Sequence, residues 1–81
     1  MRYLRSDVRR AARLLTQNQR ELVWEMFQNE TNKLPMVKTN EAIMRDLREK
    51  GIVEFVATDK NAREVFRLTF LGHLIGQHFA N

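Results

Sequence analysis

The stretch Thr39 to Phe55 reads TNEAIMRDLREKGIVEF, and its single glycine constrains the fold more than any other residue. Thr39 or Asn40 is a side-chain cap for a helix start. Ala42, Ile43 and Leu47 then share one face at helical spacing. Gly51 stands where a helix ends in the left-handed conformation that glycine adopts without penalty. IVEFVA follows and reads as a strand, polar TDKNAR as a hairpin loop, and EVFRLT as the returning strand. The pattern predicts a helix over 39–50 and a β-hairpin over 52–69.

The flanking segments add helices. RYLRSDVRRAARLL places Leu4, Val8, Ala11 and Leu15 on one face and Arg2, Arg5, Arg9 and Arg13 on the other, an amphipathic helix within 1–15. Ser6 is one cap for it, with Asp7 favourable in the first turn, and a start near Tyr3 is the alternative. Thr16 followed by Gln19 is a capping-box signature. Leu22, Val23, Met26 and Phe27 form the apolar stripe of a second helix over 16–30, with Trp24 beside it. Pro35 interrupts any helix in TNKLPMVKTN, whose Leu34, Met36 and Val37 predict a loop packed on the core, holding a short strand or one helical turn. Thr69 caps a closing helix over 70–79 with Phe70, Leu71, Leu74, Ile75 and Phe79 on its apolar face, weakened by Gly72 and Gly76.

With 81 residues and 43% hydrophobic content, one domain over 1–81 with one modest core is expected. No internal repeat or low-complexity segment divides it. A core this small gains from a second copy or a partner, so a homodimer is one expectation. Trp24, Phe70 and Phe79 are candidates for that contact, with core packing as their other role. The chain contains no cysteine, which excludes disulfides and thiolate metal sites and fits a reducing cytoplasm. No apolar run approaches the roughly 18 residues of a membrane span, so no membrane partner is expected. The N-terminus has no signal-peptide core, and a chain starting at Met without a tag reads as a complete small protein.

The net charge of +4 is unevenly placed. Residues 1–20 carry six arginines and one acid, whereas residues 21–81 carry eight bases and nine acids. The basicity is therefore N-terminal. Guanidinium groups along one helix face repel each other, and an anionic partner relieves that; phosphates match their forked donors, and an acidic protein surface also serves.

Catalytic chemistry is not evident. The only serine, Ser6, lies among arginines, and His73 and His78 are five residues apart, a spacing that does not place both on one metal. The carboxylates are scattered on amphipathic faces, and no glycine-rich phosphate loop is present. The expectation is a non-enzyme with no cofactor and no metal.

The order helix, loop, helix, glycine, hairpin, helix resembles the winged helix-turn-helix superfamily. TNEAIMRDLREKGIVEF resembles the cap, the helix with "L..KG" and the first wing strand of such domains. FRLTFLGHLI resembles the second wing strand and the "LT..G" start of the closing helix. The resemblance covers residues 16–76, with one departure: the helix before the recognition helix is shortened to NKLPMVK. It implies an α+β, mainly α fold with an N-terminal basic helix, a two-stranded wing and a C-terminal helix. It also implies DNA binding, as in a transcriptional regulator. Residues 39–48, with Lys38 just before them, would then read bases through Lys38, Thr39, Asn40, Met44, Arg45 and Arg48, with Arg suited to guanine and Asn to adenine. Lys60, Asn61 and Arg63 at the wing tip would touch phosphate, as would Arg2, Arg5, Arg9 and Arg13. Against base reading, Glu41 to Lys50 holds three acids and three bases. Glu41–Arg45 and Arg45–Glu49 are spaced to pair, at about 0.2–0.5 kcal/mol each. The alternative is a winged helix used for protein–protein interaction, such as a small phage or mobile-element protein that modulates a host protein.

Overall fold

In the computed structural model the chain is described over residues 3–29, 33–35 (backbone only) and 40–81. Among these residues the elements are α1 (Arg5–Arg13), α2 (Gln17–Gln28), β1 (Lys33–Pro35), α3 (Glu41–Glu49), β2 (Val53–Thr58), β3 (Glu64–Leu68) and α4 (Phe70–Ala80). The fold is α+β and mainly helical. No described helix is long and apolar enough to cross a membrane.

Local chemistry sets the helix ends. α1 starts at Leu4, whose N–H donates to the Asp7 carboxylate at 3.1 Å, so Ser6 lies inside the first turn and is not the cap. α2 begins with the expected capping box: Thr16 Oγ1 accepts from Gln19 N–H at 3.2 Å, and Gln19 Oε1 accepts from Thr16 N–H at 2.9 Å. α3 ends in a Schellman motif. Gly51, at φ 75°, donates its N–H to the Arg48 carbonyl, and Ile52 N–H reaches the Leu47 carbonyl at 2.9 Å. The glycine stop is therefore real, and the buried Leu47 and Ile52 side chains seal it.

The sheet has three strands in the order β1-β3-β2, all antiparallel. The sequence predicted the β2–β3 hairpin and left either a short strand or one helical turn open in the loop before α3. The third strand is the one permitted within the 32–38 loop, pairing Lys33 with Arg67 and Pro35 with Val65. A proline fits there because β1 is an edge strand. Residues 36–39, where a helix preceding α3 would lie, are outside the described residues. A bulge at Val56 shifts the β2–β3 register between Phe55 and Ala57.

The core is formed by Val8 and Ala12 from α1, Leu15 from the turn after it, Leu22, Val23 and Met26 from α2, Met44 and Leu47 from α3, Ile52, Val53, Phe66 and Leu68 from the hairpin region, and Ile75 from α4. Two expected faces are corrected. On α1 Val8 is buried as expected, and Leu15 in the turn that follows is too, but Ala12 takes the core place expected of Ala11, which is only half-buried, and Leu4 is 68% exposed. On α3, Ala42 is exposed, and its place in the core is taken by Met44, which is fully buried beside Leu47.

α4 is seated through its glycines. Thr69 Oγ1 accepts from Gly72 N–H at 3.2 Å and donates to the Gly51 carbonyl at 2.6 Å. A Cβ on Gly72 would overlap the Ile52 carbonyl oxygen, and one on Gly76 would overlap the Phe27 ring. The "LT..G" spacing thus has a physical basis: the threonine caps α4 and ties it to the end of α3, and the glycine permits the close approach. α1 packs mainly on α4, α2 on α4 and β3, and α3 on β2.

Candidate nucleic-acid interface

The arginine helix carries four exposed cations on one element. Arg5, Arg9, Arg10 and Arg13 are all exposed, and none makes an ion pair within 4.0 Å among the described residues. Arg2 lies outside the described residues. Arg5 and Arg9 border a groove against the last turns of α4, and Arg13 and Arg10 do not. Sequence reasoning left out Arg10 of this set. Its one helical acidic neighbour, Asp7, is already engaged by the Leu4 N–H at 3.1 Å.

The candidate reading helix is different. Arg45 is held by Glu41 at 2.5 Å, and Lys50 by Asp46 at 2.8 Å. Asp46 also accepts from the Gln19 amide, a buried side chain that ties the capping box of α2 to α3. Arg48 is exposed and without an ion pair, beside Phe55, Thr58 and Glu64 of the hairpin. Asn40 is the half-buried N-cap of α3. Lys38 and Thr39 lie outside the described residues. Met44 is corrected: it belongs to the core with 0% exposure and reads nothing from solvent.

At the tip of the β2–β3 hairpin, Asp59 organises the loop. Its carboxylate accepts from the backbone N–H of Asn61 and Arg63 and from the Arg63 guanidinium at 3.0 Å. Ala62 is held at φ 61°, a left-handed conformation that an L-residue resists by roughly 1–2 kcal/mol. Arg63 is thereby turned onto its own loop, leaving Lys60 as the exposed base of this loop without an ion pair among the described residues. Across the hairpin, Arg67 pairs with Glu54 at 2.6 Å.

Two carboxyls respond to this wiring. Hydrogen bonding from Lys50, then from Gln19, lowers the Asp46 pKa. The Arg63 N–H does the same for Asp59, assisted by Asn61 and the Arg63 side chain against partial burial. A lowered folded-state pKa contributes stability above the ordinary value of 3.8 and loses it as pH falls through the folded value. The urea midpoint is therefore expected to hold steady down to about pH 4 and to fall below it, with Asp46→Asn and Asp59→Asn each flattening the acid limb.

The histidines serve packing and surface. His73 meets Phe27 edge-on at 6.4 Å, and His78 lies exposed against Phe79 at 6.1 Å. Of the aromatic candidates for self-association, Trp24 stacks on Phe27 at 5.8 Å and Phe79 is half-buried. Phe70 is 62% exposed, touching Tyr3 at 6.2 Å. No protein-family model matches the chain, and no curated protein and no solved structure matches it.

Proposed function

We propose that this chain is a small winged-helix DNA-binding protein, a transcriptional regulator, whose main grip on the duplex is the arginine face of α1. The observation that carries this reading is the division of charge. Four exposed arginines on α1 lack ion-pair partners among the described residues, whereas Arg45, Lys50, Arg63 and Arg67 are each held by an acid of the same chain. Unpaired guanidinium groups are the ones available to displace counterions from phosphates. The order of strand β1, helix α3 and the β2–β3 hairpin supports the winged-helix part of the reading. Arg48 is then the α3 side chain free to reach a guanine edge, and Lys60 the wing contact to phosphate.

A salt titration on mixed-sequence duplex tests it. Affinity is expected to fall linearly on a log–log plot. Replacing Arg5, Arg9 and Arg13 by Gln is expected to reduce the slope by about 2.7, at about 0.9 per lost phosphate contact. Absence of duplex binding at low salt, or an unchanged slope in the triple variant, sinks the proposal. One observation favours a second reading, a protein-interaction module: the α3–hairpin surface is internally paired and carries Phe55 at 42% exposure. In that reading α1 meets an acidic protein surface and duplex binding is absent.

A further inference from the structure

α1 and α4 do not close completely on each other. Between them runs an open groove of about 520 Å³, lined by Tyr3, Arg5, Val8, Arg9, Leu74 and His78, with Gln77 and Asn81 at its side. That size lies within the roughly 300–1,000 Å³ typical of small-molecule sites. The lining has two chemistries. Arg5 and Arg9 stand one helical turn apart, and neither is engaged by an acid among the described residues. Their forked donors fit a carboxylate or a phosphate bidentately. Val8, Leu74 and the Tyr3 ring supply apolar walls, and His78 adds an imidazole.

We propose that this groove binds a small organic anion, a carboxylate or phosphate monoester that carries a ring or short alkyl body. Arg5 and Arg9 hold the anionic head, and Val8, Leu74 and Tyr3 cover the body. A duplex phosphate has no such body, so the apolar half of the groove distinguishes this site from backbone contact. The site does not require duplex binding, and either activity can fail without the other.

Titration of the full chain with phenyl phosphate, benzoate and inorganic phosphate, followed by amide NMR shifts and calorimetry, tests the proposal. Saturable shifts are expected at residues 3–9 and 74–81. At least one of the two aromatic anions is expected to bind about tenfold more tightly than inorganic phosphate, the difference that burial of the ring provides. Arg9→Gln is expected to weaken that binding by about tenfold, the loss of a charge-assisted contact. Arg13→Gln removes the same charge outside the groove and is expected to change affinity by less than about twofold. Equal losses in the two variants would show only a diffuse positive potential and overturn the site. Equal affinity for inorganic phosphate and both aromatic anions overturns it too, as does the absence of saturation.

Discussion

Gly72→Ala is expected to destabilise the protein by about 1–3 kcal/mol, the usual cost of overpacking a close contact. Helix propensity alone gives the opposite sign, since alanine is favoured over glycine by about 1 kcal/mol in a helix interior. The structure decides between them. The added Cβ would run into the Ile52 carbonyl oxygen and would lie 3.0 Å from Leu68 Cδ2 and 3.1 Å from Leu68 Cβ. That carbonyl cannot retreat easily. It accepts the Thr69 N–H at 2.9 Å and the Thr69 hydroxyl at 3.1 Å, and it sits just past the Schellman end of α3. Relief therefore means lifting α4 off the hairpin. Urea unfolding should show a lower midpoint, and the melting temperature should drop by roughly 4–8 °C per kcal/mol. A variant more stable than the parent would show that α4 is not seated as described. At Gly76 the obstacle is the base of the Phe27 side chain, whose Cβ would lie 2.8 Å away and does not move with the ring, so Gly76→Ala is expected to destabilise as well.

Met44→Ala is expected to cost about 2–5 kcal/mol, because it removes a fully buried side chain and leaves a cavity. Met44 has 0% exposure and belongs to the core with Leu47, Val53 and Phe66. A small domain has about 5–15 kcal/mol in total, so this one change takes a large share. Arg48→Ala, one turn away on the exposed side, is expected to stay within about 0.5 kcal/mol. The pair separates structure from recognition on one helix. Equilibrium unfolding of both variants, alongside duplex binding, gives the readout. If Met44→Ala kept parental stability while altering sequence preference, the orientation of α3 would be wrong.

The charge pattern was more legible than its summary as a net value. Arg45 has acids four residues away on both sides, and Lys50 has Asp46 at the same spacing; both are paired in the structure. Arg5, Arg9, Arg13 and Arg48 have no acid three or four residues away, and none of them is paired. On a helix those spacings are the ones that meet, so the set of free cations is largely written in local sequence. Arg63 was less accessible. Its partner Asp59 is four residues away, but in a loop, where the contact depends on the turn that Asp59 itself builds.

The sequence alone determined the ends of elements. Thr16 with Gln19, Gly51 after Lys50, and Thr69 before Phe70 each act through hydrogen bonds within a few residues, and each stands where local chemistry placed it. Only the tertiary structure decided which faces are buried. On α1 the sequence placed Val8 correctly, but packing on α4 buried Ala12 in place of Ala11 and left Leu4 exposed. The choice of a strand over a helical turn in the 32–38 loop was also out of reach, because β1 pairs with residues 65–67, some thirty positions downstream. The glycines of α4 look like weak points in a helix until Ile52 and Phe27 arrive against them. Capping free energy is local and can be read in order along the chain. Burial is shared between distant segments, so its sign at a given residue is set only when those segments meet.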